Sequence, residues 1–300
     1  REQSGEVSGL KRLRCFTMPD LHTLCAEINQ ATEEFKRQFD TAKIWMNDLK
    51  LDHEVAIRFV EEFYEKNKAL AQALAKSAGK PVLVELWNEQ YFYFVMKFEF
   101  NVIDSMNKAS ALSTVQIDVE NAERFDITYT NEKNKKQYPF ILHTSISGSI
   151  DRCVYALLER EAVKIKQGKK PILPLWLSPT QVRFVPVGDE FVSDCEVFVN
   201  EMNKITPYYK IRLDIDDREE SVGRKIRDAE KEWVPIIVVV GDKERTGKSF
   251  SPRFRSEDVG EGDKSYSVNE LHDLIMEHIK DFPSQALPLP LYISKRVKFK

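Results

Sequence analysis

The sequence is short of the features that mark specialised environments. Only four cysteines occur in 300 residues, Cys15, Cys25, Cys153 and Cys195, and none are in C-x-x-C spacing. With no signal peptide ahead of them, this pattern predicts reduced thiols, mostly buried, in a cytoplasmic chain. No apolar run approaches the ~20 residues of a membrane span, so a soluble protein is expected. Charge of one sign is also missing. Charged residues make up 31%, yet the formal net charge is only -3. Any nucleic-acid contact must then use a local basic patch, and a DNA-coating protein is disfavoured. No internal repeat is visible. Histidine is scarce, at five.

What is present is enough apolar residue, 42%, for a large core and about two domains of the usual ~100 to 200 residues. Ile28 to Leu49 has helical spacing (Ile28, Phe35, Phe39, Ile44, Trp45, Leu49), and Glu54 to Ala78 reads as a second amphipathic helix through Val55, Ile57, Val60, Phe63 and Tyr64. PVLVELWNEQYFYFVMKFEFNVID predicts two strands joined by a tight turn at Asn88-Glu89, and TVQIDV and FDITYT add further strands. YPFILHTSISGSIDRCVYALLEREAVKI begins as a strand, turns at Ser145 to Ser149 and becomes a helix near Ile150. The first domain is therefore expected to be an antiparallel α+β unit.

QGKKPILPLWLSP, residues 167 to 179, is the linker candidate, with domains expected at 1–172 and 173–300. Beyond it, QVRFVPV, EFVSDCEVFVNEMNKI, YKIRLDID, SVGRKIRDAEKEW and VPIIVVVGDKE alternate as β-α-β-α-β, which predicts a mostly parallel sheet covered on both faces. A strand near Phe250 to Arg255 and a helix from Val268 to Ile279 complete it, followed by a Pro-rich tail without clear structure.

Chemistry concentrates at the start. REQSGEVSGLKRLRCFTMPDLHTLC sets Glu2, a glycine-bearing turn, the cations Lys11, Arg12 and Arg14, the aromatic Phe16 and then Asp20-Leu21-His22 within one hairpin's length. This reads as a nucleotide-handling hairpin running into a metal-ligand pattern. His22 and His143 are the sharpest histidine pair, each on a predicted strand. Two histidines fall short of the three or four ligands of a zinc site, and spacing alone favours hydrogen-bonded histidines.

EQSGEVSGLKRLRCFTMPDLH resembles motif two of class II aminoacyl-tRNA synthetases, and ILHTSISGSIDR resembles their motif three in the form seen in the threonyl-tRNA synthetases. The resemblance covers almost the whole chain. It implies a partial class II catalytic domain on an antiparallel sheet, followed by a small α/β anticodon-binding domain. It implies threonine-tRNA ligation: L-threonine is activated with ATP and Mg²⁺, then transferred to tRNA(Thr). Such a reaction demands neutralisation of phosphate charge. Arg12 and Arg152 are the catalytic arginines the resemblance implies, with Phe16 stacked on adenine and Glu2 near adenine or the terminal adenosine. His22 and His143 become two of three Zn²⁺ ligands, the third a cysteine upstream. Zinc would accept threonine and reject isosteric valine. Asp20 would hold the substrate amino group, while Gln116 lines the amino-acid and adenylate pocket. Lys97 and Glu99 face the same cleft or form a solvated strand. In the second domain Arg218, Glu244 and Arg253 are the anticodon contacts implied. Arg224 and Lys225 lie on a helix that could be either a tRNA contact or a charged face.

The resemblance also implies elements ahead of Arg1: the motif-two arginine, motif one, the zinc cysteine and an editing domain. The chain is accordingly expected to be a C-terminal portion, inactive alone, of a cytoplasmic homodimer, with no membrane or DNA partner. Met18, Pro19 and Leu21 depart from the bacterial form of the motif, Phe94 stands where that form has a tyrosine, and the long helices with no bacterial-like loop favour an archaeal-type enzyme. The alternatives are a non-catalytic tRNA-binding or regulatory paralogue, and a different class IIa synthetase.

Overall fold

The computed structural model describes residues 3–297. The chain divides into a first compact unit up to Val163 and a second from Lys164. The first unit runs β1 (Leu21–Cys25), α1 (Ile28–Asp48), β2 (Glu54–Val60), α2 (Glu61–Lys66), α3 (Lys68–Ala78), β3 (Val82–Trp87), β4 (Phe94–Ile103), β5 (Ala109–Asp118), α4 (Asn121–Arg124), β6 (Tyr129–Thr130), β7 (Lys136–Gln137), β8 (Phe140–Ser145) and α5 (Ile150–Lys166). Six strands form one sheet in the order β1-β8-β5-β4-β2-β3, antiparallel except for the parallel pair β2 and β3.

The sheet's core is aromatic. Phe35 and Phe39 of α1 meet Phe98 of β4 edge to face at 5.5 and 4.9 Å, and Phe39 meets Phe100 at 5.1 Å. All four are fully buried, each contributing about 1.5–3 kcal/mol relative to exposure. Helix α1 forms because Ala31, Phe35, Phe39, Ala42 and Met46 fall on one face.

Three sequence expectations need correction. Residues 54–60 are a strand, not the start of a helix: Val55, Ile57 and Phe59 are buried in strict alternation, a period of two masked by Val60, Phe63 and Tyr64 at helical spacing just beyond. β3 and β4 are not a hairpin, because β2 lies between them and pairs with both. In FDITYT only Tyr129–Thr130 is extended, pairing with Lys136–Gln137 in a two-stranded ribbon.

The second unit contains β9 (Val182–Pro186), α6 (Val192–Ile205), β10 (Leu213–Ile215), α7 (Val222–Lys231), β11 (Ile236–Val240), α8 (Asp242–Gly247), β12 (Ser249–Phe250), β13 (Arg253–Phe254), β14 (Tyr266–Ser267) and α9 (Val268–Ile279). Its sheet is ordered β10-β9-β11-β13, parallel through β10, β9 and β11, with β13 antiparallel. Apolar clusters cover both faces: Phe184, Val238 and Val240 pack with Phe198 and Ile275, and Val185 and Ile237 with Ala229. Fully buried Arg183 bridges Asp214 at 2.9 Å and Glu232 at 2.7 Å. The described part of the Pro-rich tail is mostly irregular, with one short turn at Ile293–Lys295, and is tied to the sheet by specific bonds. Ile215 N donates to Leu291 O, Ser294 N to Asp217 at 2.9 Å, and Arg296 Nη2 lies 2.8 Å from Asp214. No helix among the described residues is long and apolar enough to cross a membrane.

Candidate active site

On the sheet face opposite α1, polar residues stand in one register across all six strands. His22 on β1 faces His143 on β8, which faces Gln116 on β5, then Lys97 on β4, Arg58 on β2 and Glu85 on β3. Residues two apart share a face, so Asp118 and Glu99 join them. One half of the row is ionic: Lys97 Nζ is 2.8 Å from Glu99, Glu99 is 2.6 Å from Arg58, and Arg58 Nε is 2.7 Å from Glu85. Burial alone would raise the Glu99 carboxyl, but Lys97 and Arg58 outweigh it and hold it below the usual range.

The other half is built on imidazole and hydroxyl. The His22 and His143 rings meet edge to face at 4.7 Å, and Tyr93 approaches His143 at 5.3 Å. Tyr93 donates its hydroxyl to Gln116 Oε1 at 2.6 Å, leaving the amide NH₂ of Gln116 as that side chain's donor. Burial, with Asp118 and Asp20 nearby, pushes the Tyr93 phenol up. Asp118 is fully buried as a side chain and lies 2.7 Å from His143 Nε2. Burial opposes its charge, but the Asn121 amide, His143, the Glu120 amide and the Asn121 side chain more than offset this and hold its carboxyl below the usual value. An anionic carboxylate only accepts, so Nε2 is the ring nitrogen that donates to Asp118, which leaves Nδ1 as the other ring nitrogen of His143. A carboxylate behind an imidazole is the usual support for a metal-ligating histidine. His22 and His143 therefore suit two positions of a Zn²⁺ site, and the described residues contain no cluster of three or more His, Cys, Asp or Glu suited to a metal.

Beside this row opens a cleft of about 1020 Å³, lined by the turn from Ser8 to Arg12, the start of β5, Glu99, Asp104, Arg152 and Tyr155. Ser8 and Arg12 close the turn as an antiparallel bridge, with Gly9 at φ +49° in the left-handed region that favours glycine. Arg152 stands one turn into α5, which Ser149 caps by accepting from the Arg152 amide at 3.2 Å. At Gly148 a Cβ would come within 2.4 Å of Leu112 O, so only glycine lets this turn approach β5. The Arg152 guanidinium donates to Lys11 O at 3.2 Å and Ala111 O at 2.9 Å. Among the described residues it forms no ion pair, and it lines the cleft together with the carboxylates of Glu6, Glu99, Asp104 and Glu159. Arg12 lies in the same lining, 3.4 Å from Glu6.

Phe16 and Asp20 are exposed and outside that lining. Their loop is tied to the β8–α5 turn by Ile150 N to Thr17 O and Ser145 Oγ to Pro19 O, both 3.1 Å. Glu2 lies outside the described residues. Phe94 is buried beside Trp87 and Phe92, with Lys97 Nζ 5.9 Å above its ring.

In the second unit, Arg218 is gripped by Asp216 at 2.7 Å and Asp228 at 3.2 Å. Glu244 turns back to accept the Gly241 amide at 3.0 Å. Arg253 is exposed on β13 and, among the described residues, forms no ion pair. Arg224 is exposed and pairs with Glu220 at 3.1 Å, whereas Lys225 is buried and so is not part of a charged helix face.

Sequence reasoning missed Tyr93, Asp118, Arg58 and Glu85. Asp118 was detectable as the second residue after Gln116 in an alternating strand. Helical spacing across residues 54–78 hides Arg58 and, with it, its partner Glu85. In sequence Lys11 is one cation among three, yet its Nζ lies 3.1 Å from buried Asp104.

Residues 1–161 match the family of tRNA synthetase class II core domains (G, H, P, S and T), and residues 181–278 match an anticodon binding domain. Threonine-tRNA ligase of Methanosarcina mazei is 48% identical over 304 residues and that of Pyrococcus furiosus 50% over 305. Each match covers 100% of this chain and 47% of the relative, so the chain spans about half the length of the curated relatives it matches. Among solved structures, the RNA binding domain of threonyl-tRNA synthetase from Cryptosporidium parvum Iowa II aligns with TM-score 0.73 at 20% identity, covering 95% of this chain and 68% of that one. Prolyl-tRNA synthetase from Cryptosporidium parvum aligns with TM-score 0.67 at 17% identity, covering 93% and 51%. These two likenesses concern the fold.

Proposed function

Because the chain belongs to the class II tRNA synthetase core family, with an anticodon-binding domain following the core, we propose that it is part of a threonine-tRNA ligase. The activity is ATP-dependent activation of L-threonine and its transfer to tRNA(Thr). The observation that carries the reading is the union, in one unit, of the His22–His143–Gln116–Lys97 register with a cleft walled by Arg12 and Arg152.

Activation joins a carboxylate to the α-phosphate of ATP, so two anions must approach each other. Arg152, without a carboxylate partner among the described residues, lowers that repulsion from the start of α5, where the helix dipole acts in the same sense. Arg12 adds charge from the turn, Mg²⁺ accompanies ATP, Phe16 stacks on adenine, and Glu2 serves the adenine or the terminal adenosine of tRNA. Gln116, oriented by Tyr93, offers amide hydrogens to substrate, and Asp20 takes the threonine ammonium. Lys97 and Glu99 hold each other on the same face. His22 and His143 would hold Zn²⁺ with at least one further donor. The ion supplies a Lewis-acidic contact that separates threonine from valine. In the second unit Arg253 and Glu244 read anticodon bases, and Arg218, already shared between two carboxylates, shapes that edge. A cytoplasmic homodimer formed through the catalytic unit completes the reading.

Threonine-dependent ATP–pyrophosphate exchange by the full-length protein tests it. Exchange should occur with threonine and fall about 10²–10³-fold in Arg152→Gln, as for loss of one preorganised charge donor. Exchange with proline or serine but not threonine would reject the substrate. Absence of exchange with any amino acid would favour a binding-only paralogue.

A further inference from the structure

Between β5, which ends at Asp118, and β8, which carries His143, the chain leaves the sheet and forms the ribbon β6–β7. Its turn holds Lys133, Lys135 and Lys136 against the single acid Glu132, and all four are exposed. Among the described residues none of the three lysines has an ion-pair partner, unlike most surface lysines of α1 to α3, such as Lys36 and Lys66. The turn is held in shape. Asn131 Oδ1 accepts the amides of Lys133 at 2.9 Å and Lys135 at 3.0 Å, and Asn131 N donates to Lys135 O at 2.9 Å. Asn134 takes the left-handed conformation at φ 54°, one that asparagine tolerates. At the base, Tyr129 donates to Ala26 O at 3.3 Å and Tyr138 to Asp126 at 3.2 Å. Exposed rings flank the charges: Phe125 is 68% and Tyr138 44% exposed, and Arg124 sits 6.0 Å over Phe125.

We propose that this ribbon is a docking surface for the backbone of tRNA near its 3′ end, an inference that rests on the aminoacylation reading above. Unpaired lysines on a rigid turn suit a regular polyanion, because phosphates are neutralised without first breaking internal ion pairs. The exposed rings suit unstacked bases. Placement adds direction. Tyr138 is five residues before His143 along extended chain, about 17 Å at the usual rise per residue, and Asp118 at the other foot is bonded to that histidine. An RNA end delivered to the site would have its adjoining backbone within reach of the ribbon.

The test compares the full-length protein with a Lys133→Ala, Lys135→Ala, Lys136→Ala variant. Binding is measured from about 50 to 200 mM salt, to tRNA(Thr) and to a minihelix of its acceptor arm alone. The variant should bind both RNAs at least about fivefold more weakly, with a salt slope shallower by about two to three, roughly one for each phosphate that a lysine no longer neutralises. Threonine-dependent ATP–pyrophosphate exchange should be unchanged, which also establishes that the variant folds. Equal affinity and equal slope for both RNAs would overturn the inference while leaving the parent reading intact. Weaker binding confined to whole tRNA and absent for the minihelix would overturn the placement near the 3′ end. No RNA binding by the unmodified protein would overturn the parent reading and this inference with it.

Discussion

Lys11 is held from two sides. Its Nζ meets Asp104, which also accepts the Tyr155 hydroxyl at 2.8 Å, and its carbonyl receives Arg152. The Lys108 amide, the Tyr155 hydroxyl, Lys11 and the Met106 amide hold the Asp104 carboxyl far below its usual range despite burial. Lys11 is thus a positioning residue for the turn that carries Arg12. Lys11→Met should change stability by less than about 1 kcal/mol, because Asp104 keeps its other bonds and the pair is partly solvated. Hydrogen exchange at Ser8 to Arg12 should rise, and under the activity proposed for the full-length protein KM for ATP should rise several-fold with kcat less affected. An unchanged exchange pattern would remove Lys11 from this role. Its value could not be read in sequence, because Asp104 is 93 residues away and looks like any turn aspartate.

At the scale of elements, β2 decides whether the polar row is continuous, since it alone links β3 to the rest of the sheet. Its core face is Val55, Ile57 and Phe59, with Ile57 and Phe59 fully buried. Its other face supplies Arg58. Ile57→Ala should therefore cost about 2–5 kcal/mol, seen as a lower urea midpoint for the first unit. Arg58→Ala should destabilise less but separate Glu99 from Glu85. Equal, small losses in both would contradict the assignment of faces. α1, α5, α6, α7 and α9 were legible because each repeats the helical period over its length, and β8, β9 and β11 because each is a short run of strand-forming residues bounded by turn residues. β2 was not, since two periods meet at Val60. The separation of β3 from β4 was also hidden, because strand order depends on which distant edge is free to pair.

For the whole molecule, pH dependence follows from groups shifted within the first unit. His53 lies against Phe100 at 4.4 Å, and burial lowers its pKa by disfavouring the charged ring. Its folded value is below the unfolded value of about 6.5, so its contribution is complete above that pH and lost as pH falls. Asp104 and Asp118 are also depressed. Their contribution is complete above about 3.9 and drains away below it. Urea unfolding should give a midpoint that drops between about pH 7 and 5 and again below about pH 4. His53→Gln should flatten the first drop and spare the second. A first drop of full size in that variant would assign the effect to another group.

The sequence by itself determined what is local or periodic: the two-unit order, most helices, the parallel series of the second unit and the family resemblance of the opening hairpin. It also brought His22, His143, Gln116 and Arg152 forward, because their residue types are scarce or lie in recognisable local patterns. Only the tertiary structure decided that His22, His143, Gln116, Lys97, Arg58 and Glu85 share one register, that Asp118 lies 2.7 Å from His143 Nε2, and that Lys225 is buried while Arg253 is exposed. The physical reason is that strand pairing and burial are set by distant partners competing for the same edges and the same apolar volume. A linear pattern records a residue's own preference and its near neighbours, but not which remote group will satisfy it.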